Sequence, residues 1–336
     1  MIVPVRNGEV WIDRKLRTVA ELDYPHELIE FILILDGSQD RTEEIARAAK
    51  TPYRLLLVRV PPGGKSAALS AGIQKASGEI LFFTDIRQEL EPSSLRRLIE
   101  CLGDADVGAV SGELIIREGA THEETNIGLY WRYEKWIRKT LSSIDSFHGA
   151  TGCIYAMRRE LAPRVGANII NDDMYIPLEA LRRGYRVVFD DRAHAYDDPT
   201  GLDAEFHRKV RTLGGVFQIV QLCPWLLTGE NRMRLHFVCH KLARLLLPYA
   251  LIALLIASFF LTWPLNAIAL ASQAALYLLA LCDPLLPASL GPVKKLSAAA
   301  RTFAVMMLAT LFAGAILFVP PERLWKETRV RGRAGR

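Results

Sequence analysis

The sequence predicts an α/β domain built on a parallel-rich central sheet, followed by a C-terminal set of transmembrane helices. Three observations carry this reading. Short, wholly apolar runs alternate with helical patterns through the first 230 residues, as strands buried on both faces of a parallel sheet do. Those runs end in Asp, Gly and Lys rather than in more hydrocarbon. From residue 242 to 319 the chain is almost unbroken hydrocarbon. Half of the residues are hydrophobic while 24% are charged, and both figures hold because the apolar residues concentrate in that last stretch. A purely soluble chain and a disordered one are both excluded. The 336 residues suffice for two domains, placed at 1–230 and 231–336.

The chain opens directly on a strand-like run, 2–5 (IVPV), and not on a secretory leader. This strand belongs in the middle of the sheet, yet it has almost no lead-in, and chain ends fray unless tied down. Either the natural chain starts upstream of Met1, or the strand is held only by pairing with the run at 31–35 (FILIL). That second run ends at Asp36-Gly37-Ser38, and a helical pattern begins near Arg41. A third strand, 55–60, leads into Pro61-Pro62-Gly63-Gly64 and a helix through about Ala76. A fourth, 80–84 (ILFFT), ends at Asp85. Further on, 187–189 reads as a strand, with Asp190-Asp191 and Asp197-Asp198 as solvated residues beyond its end.

The apolar region divides into 242–263, 265–282 and 302–319, each near the ~20 residues a helix needs to cross a bilayer. Trp263-Pro264 reads as a tight interfacial turn. The stretch 283–301 holds four Pro or Gly residues, then Lys294, Lys295 and Arg301, and reads as a cytoplasmic loop or interfacial helix. Positive-inside counting puts Lys241 and Arg244 inside, the Trp263 turn outside and the Lys294 loop inside. A third full crossing would then export the basic tail, so either the third span is re-entrant or one of the first two does not cross.

Net charge is +5, with no long basic block, so nothing points to nucleic acid as a partner. The tail cations Arg323, Lys326, Arg329, Arg331, Arg333 and Arg336 suit phospholipid headgroups, making membrane lipids an expected partner. Cys101, Cys153, Cys223, Cys239 and Cys282 are too scattered for a zinc site or a disulfide framework, and suggest a reducing compartment.

In doubly wound sheets, ligands sit beyond the carboxyl ends of the strands. Asp36, Gly63-Gly64-Lys65 and Asp85 fall there together. A phosphate-binding loop is excluded because Arg59 stands where its first glycine belongs, and no G-x-G-x-x-G follows a strand. The signature is carboxylates plus a cation. Asp36 suits a base or ribose, Asp85 a ribose or a metal, and Lys65 the charge of phosphates or a base.

These residues, with those that follow, carry a resemblance. The segments 3–7 (VPVRN), 35–42 (LDGSQDRT), 63–79 (GGKSAALSAGIQKASGE) and 82–85 (FFTD) resemble family 2 inverting glycosyltransferases. So do 150–160 (ATGCIYAMRRE), 171–189 (NDDMYIPLEALRRGYRVVF) and 207–215 (HRKVRTLGG). With 325–329 (WKETR) they look like the membrane-embedded branch that includes cellulose, hyaluronan and poly-N-acetylglucosamine synthases. The resemblance implies a Rossmann-like A-type glycosyltransferase domain, in a multi-pass protein of the cell membrane with its catalytic domain cytoplasmic. It implies a nucleotide-sugar donor, expected to be uridine diphosphate-linked, and a glycan or lipid-linked acceptor. It makes Asp36 the base-binding carboxylate, with Pro4 on the strand beside it, and Asp85 the first acid of a D-x-D motif and a metal ligand. It makes Asp173 the general base, as the second acid of the pair Asp172-Asp173.

The chemistry asks for the same roles. Inverting displacement of a nucleoside diphosphate needs a carboxylate to take the acceptor's proton and cations on the departing charge. Lys65, Arg208 and Arg211 are the candidates for that positive charge. A divalent cation, Mg or Mn, is also expected, but Arg87 stands where the second D-x-D acid belongs, which leaves its protein ligands open. Arg87 is itself a candidate for part of that charge. The Q-x-x-R-W motif of processive members reads Arg208-Lys209-Val210-Arg211-Thr212 here, leaving processivity open. The aromatic run 130–136 suits either stacking on sugars or an amphipathic packing face. The alternative function is a catalytically weakened membrane-bound nucleotide-sugar-binding or assembly subunit.

Overall fold

The computed structural model describes residues 1–117, 123–198 and 202–318. The basic tail, the 325–329 motif and residue 319 lie outside the described residues, as do the side chains of Tyr130, Trp131, Arg132 and His207. The chain begins β1 (Ile2–Val5), α1 (Glu9–Ala20), β2 (Glu30–Asp36), α2 (Thr42–Ala48), β3 (Arg54–Val60), α3 (Gly64–Lys75) and β4 (Ile80–Phe83). Next come β5 (Glu89–Leu90), α4 (Ser94–Leu102), β6 (Val107–Ile116), α5 (Glu123–Ile144) and β7 (Tyr155–Arg158). Then follow α6 (Asp172–Arg182), β8 (Arg186–Asp197) and α7 (Leu202–Leu222). The short α8 (Arg234–Phe237) and a π-helical turn (Val238–Leu242) lead into α9 (Ala243–Ser258), α10 (Leu265–Cys282) and α11 (Pro292–Ala313).

The eight strands form one sheet in the order β3-β2-β1-β4-β7-β6-β8-β5. Neighbours run parallel except at β4–β7, β6–β7 and β5–β8, so the sheet is parallel-rich with a reversal at β7. Alternation along β2 sends Ile32 and Ile34 to the face packed by α3, α6 and α7. Phe31, Leu33 and Leu35 go to the face packed by α1, α2 and α4. Both faces are buried, which is why these strands read as continuous apolar runs. The first strand is held on both sides: β1 pairs with β2 along its length, and Ile2 also pairs with Phe83 of β4. The expectation of support from the 31–35 strand alone is corrected accordingly.

Among the described residues, three helices are long and apolar enough to cross a membrane: Arg234–Ser258, Leu265–Leu285 and Pro292–Leu317. The third starts about ten residues earlier than the sequence suggested, so the second half of the stretch 283–301, expected to be a loop or an interfacial helix, is the first part of α11. Lys294 and Arg301 lie on α11, where both reach the buried Asp283 at the end of α10, 2.9 and 3.4 Å away. That pairing lets the helix begin among charges. At its other end α11 returns to the α/β domain: Ala309, Ala313 and Ile316 share one core with Leu213 and Val216 of α7, and with Leu245 near the start of α9. Gly314 sits against the Tyr249 hydroxyl, where a side chain would collide.

Candidate active site

Asp36, at the end of β2, is buried, and its carboxylate accepts N–H bonds from Gly63 (2.7 Å) and Gly64 (3.0 Å). It thereby fixes the turn that starts α3. Gly37 and Gly64 both have positive φ (62° and 80°), and a side chain on Gly37 would strike Pro62. The expected base-binding carboxylate is thus also the brace of the lysine-bearing loop. Pro4 sits beside it in β1, in register with Ile34.

Lys65, the second residue of α3, projects its ammonium between two carboxylates: Asp85 Oδ1 at 2.9 Å and Asp172 Oδ2 at 3.3 Å. Asp85 follows β4, and Asp172 opens α6. Ser66 donates to the Ile169 carbonyl, joining α3 to the segment before α6. Asn171, the residue before α6, donates from Nδ2 to the Thr212 carbonyl of α7 (2.9 Å), and Gly215 leaves the space its amide fills. Thr212 and Gly215 of the 207–215 motif therefore act by positioning the start of α6. Arg208 and Arg211 stand on that same helix, α7, partly buried.

Asp172 and Asp173 occupy the first turn of α6, where the helix dipole favours carboxylates. Burial nevertheless pushes Asp172 up to about 6, against the pull of Lys65 and with the repulsion of Asp173 and Asp85. Burial also raises Asp173, opposed by Lys65 and Arg138. Its carboxylate lies over Gly152, where an added Cβ would come within 3.0 Å of Oδ2. Arg138 of α5 approaches from that side and donates to Thr151 Oγ1 at 2.9 Å. Burial first would depress Lys65, but Asp172, Asp85 and Asp173 outweigh it and hold the ammonium above its ordinary range.

Arg87 does not face this cluster as a spare cation. It pairs with the buried Asp197 at the end of β8, which also accepts from Gln88 Nε2 at 2.7 Å. The reading of Asp190, Asp191 and Asp197 as solvated residues past a strand is corrected: β8 runs through all three. Asp190 is buried on Arg192, and Asp191 takes Lys139 at 2.8 Å. Sequence reasoning also missed Lys15. Fully buried on α1, it donates to Thr84 Oγ1 (3.1 Å) and to the Gln88 carbonyl, next to Asp85. Burial pushes it down to about 8, opposed by Asp85. Its signal was available, since Lys15 falls on the apolar stripe of Ile12, Leu16 and Val19.

A resident divalent cation fits these donors poorly. Asp85 is salt-bridged to Lys65, the next D-x-D position is Arg87, and among the described residues no group of three His, Cys, Asp or Glu side chains is arranged to hold a metal.

The chain matches the model described as glycosyl transferase family 2 over residues 1–166, and that of glycosyl transferase family group 2 over residues 88–317. It is 24% identical over 208 residues to the probable glycosyltransferase YdaM of Bacillus subtilis, covering 56% of this chain and 48% of that protein. It is 29% identical over 198 residues to the glycosyltransferase AglE of Haloferax volcanii, covering 56% and 63%. The chain thus spans about half the length of the curated relatives it matches. In fold it is similar to mannosyltransferase PcManGT from Pyrobaculum calidifontis, solved with GDP-Man and Mn2+, at a TM-score of 0.70 and 23% identity over 94% of this chain and 86% of that one.

Proposed function

Because the chain belongs to glycosyl transferase family group 2, we propose that it transfers a sugar, with inversion, from a nucleotide-activated donor to a glycan or lipid-linked acceptor at the cytoplasmic face of a membrane. The expected donor is uridine diphosphate-linked. The observation that carries the proposal is the convergence of Lys65, Asp85, Asp172 and Asp173 at the carboxyl ends of the strands. The order of its motifs supports a place in the membrane-embedded branch.

In this reading the donor's base lies along β1 and β2 near Pro4 and Asp36, and its diphosphate meets Lys65, with Arg208 and Arg211 as further cations. The acceptor oxygen attacks the anomeric carbon on the face opposite the diphosphate. As that bond forms, the bond from carbon to diphosphate oxygen breaks, and the nucleoside diphosphate leaves with the electron pair. Asp173 takes the acceptor's proton, a task to which its raised affinity for protons suits it. Asp172 holds Lys65 in place. Asp85 is the candidate ligand for a divalent cation, which when bound would supply positive charge to the departing diphosphate, although among the described residues no group of three carboxylates completes a metal site.

The test is nucleoside diphosphate release by the purified full chain against a panel of nucleotide sugars with membrane acceptors. Release with one donor, reduced about 10²- to 10⁴-fold by Asp173→Asn, is the expected result. Release that survives Asp173→Asn would remove Asp173 as the base. No release with any donor would favour a nucleotide-sugar-binding subunit instead.

A further inference from the structure

Asp172 and Asp173 open α6, yet little in that helix itself sets where it begins. Residues 162–171 form neither strand nor helix, so no backbone ladder delivers the chain to the site. Asn171 is a residue type favoured at a helix N-cap, but its side chain makes no capping bond. Its amide goes instead to the Thr212 carbonyl of α7.

The residues just before it are held one by one. Ser66 of α3 donates to the Ile169 carbonyl. The half-buried Gln218 of α7 takes the groups on either side. Its Oε1 accepts the Ile170 N–H at 2.9 Å, and its Nε2 donates to the Asn168 carbonyl at 2.9 Å. One carboxamide thus meets the carbonyl of one residue and the N–H of the second residue on, as a residue of a parallel strand does. Asn168 stands at φ 63°, in the left-handed region. The turn it makes leaves its carbonyl and the Ile170 N–H on the same side chain. Among the described residues these two bonds are the only ones Gln218 makes, so it acts on the site through the backbone.

The other end of this clamp is firm. Leu213, Val216 and Phe217 of α7 are buried in one core with Ala309, Ala313 and Ile316 at the end of α11. A segment with few bonds of its own is therefore tied to a well-packed helix, and Ile170 stands two residues before Asp172.

We propose that Gln218 is a positioning residue for sugar transfer: by holding Asn168 and Ile170 it fixes the first turn of α6, and with it the carboxylates Asp172 and Asp173. The effect on rate rests on the transferase reading; the clamp does not, and the two are measured separately.

Two variants of the full chain test it. Gln218→Met keeps the length of the side chain and removes both bonds. Gln218→Glu keeps the acceptor for Ile170 but, when ionised, sets an oxygen against the Asn168 carbonyl; when protonated, it supplies the missing donor. In Gln218→Met the Ile170 amide should exchange its hydrogen at least about tenfold faster. The thermal unfolding midpoint should stay within a few degrees, because the bond to the Asn168 carbonyl is exposed to water. With an active donor, kcat should fall about tenfold or more while the donor KM holds within about twofold. Gln218→Glu should match that loss near pH 8. Its kcat relative to wild type should then rise as pH falls towards about 5, where its carboxyl gains the proton. Unchanged exchange at Ile170 overturns the clamp, whether or not the chain transfers sugar. Faster exchange with unchanged kcat, or with the whole loss in KM, overturns the positioning role. If the wild-type chain transfers no sugar to any acceptor, the proposed function fails, and positioning is read from the carboxylates themselves. With carboxyl-labelled aspartate, Gln218→Met should move the titration of the Asp172–Asp173 pair; an unmoved titration overturns the role of Gln218.

Discussion

Lys65 Nζ stands 2.9 Å from Asp85 Oδ1 and 3.3 Å from Asp172 Oδ2, tying the end of β4 to the start of α6 through one ammonium. Each partner comes from a different strand–helix unit, so the contact exists only when the sheet is assembled.

The first prediction removes that ammonium. Lys65→Met keeps the stem that packs on α3 but leaves Asp85 and Asp172 facing one another without a cation. A nucleoside diphosphate would then approach a net negative site. Its affinity, measured by calorimetric titration, should fall at least about 30-fold, the low end of the ~2–5 kcal/mol lost when one partner of a buried charge pair is truncated. Lys65→Arg should recover part of it. Undiminished binding by Lys65→Met would separate Lys65 from the donor site.

pH gives the second. Asp172 is raised from 3.8 to about 6, so the folded chain holds this proton more tightly than the unfolded chain does. Between pH 4 and 6 its contribution to stability therefore falls as pH rises, and above pH 6 it is constant. For activity the consequence is an acid limb near pH 6: protonated Asp172 loosens its hold on Lys65. Because Asp172 and Asp173 interact, that limb belongs to the pair. A kcat/KM profile that falls only below pH 4 would contradict the burial described for them.

The third concerns Arg87 and Asp197. Asp197 is buried, so Arg87→Ala strands a carboxylate with Gln88 as its remaining side-chain donor. Breaking a buried pair from one side costs about 3 kcal/mol, whereas replacing both partners by apolar residues is often neutral. The unfolding midpoint should drop by several degrees in Arg87→Ala and largely return in the double variant Arg87→Leu/Asp197→Leu. Equal losses in both would mean that the pair contributes by more than mutual neutralisation.

These residues also show how much of the molecule the sequence discloses. β1 to β4, the start of β8 and the nearness of Lys65 to Asp85 were legible because burial on both faces writes continuous apolar runs, and because ligand-side residues interrupt them at strand ends; β5, β6 and β7 were not read as strands, and Asp172 and Asp173 entered through the resemblance alone. Arg87 was visible as an oddity, but its partner was not. Asp197 lies 110 residues away on β8, and nothing local in an Asp-Asp pair tells a buried counter-ion from a solvated turn. Lys241 was read only as a cation on the inner side of the first span. Its electrostatic influence on Asp173 depends on how the π-helical turn packs on the α/β domain, which no sequence period encodes.

The last prediction is the number of crossings. Arg244, at the start of α9, is tied to Glu134 of the α/β domain. Ile316, just past the end of α11, packs in the same core as α7. Both ends of the three-helix segment therefore lie on the side of the catalytic domain, and an even number of crossings must separate them. One of the three candidate spans does not cross. Lys294, Lys295 and Arg301 outnumber Asp283 by three to one in the connection to α11, and such an excess is retained on the cytoplasmic side. α9 and α10 are then the crossing pair, and α11 lies against α7 without traversing. Single cysteines in a background lacking the native five should be labelled from outside by a membrane-impermeant maleimide at Trp263. Positions Ser289 and Phe318 should react only after the membrane is permeabilised. Outside labelling of Ser289 with protection of Trp263 would make α10 and α11 the crossing pair. Outside labelling of Phe318 would break the parity itself, and with it the placement of α11 against the catalytic domain.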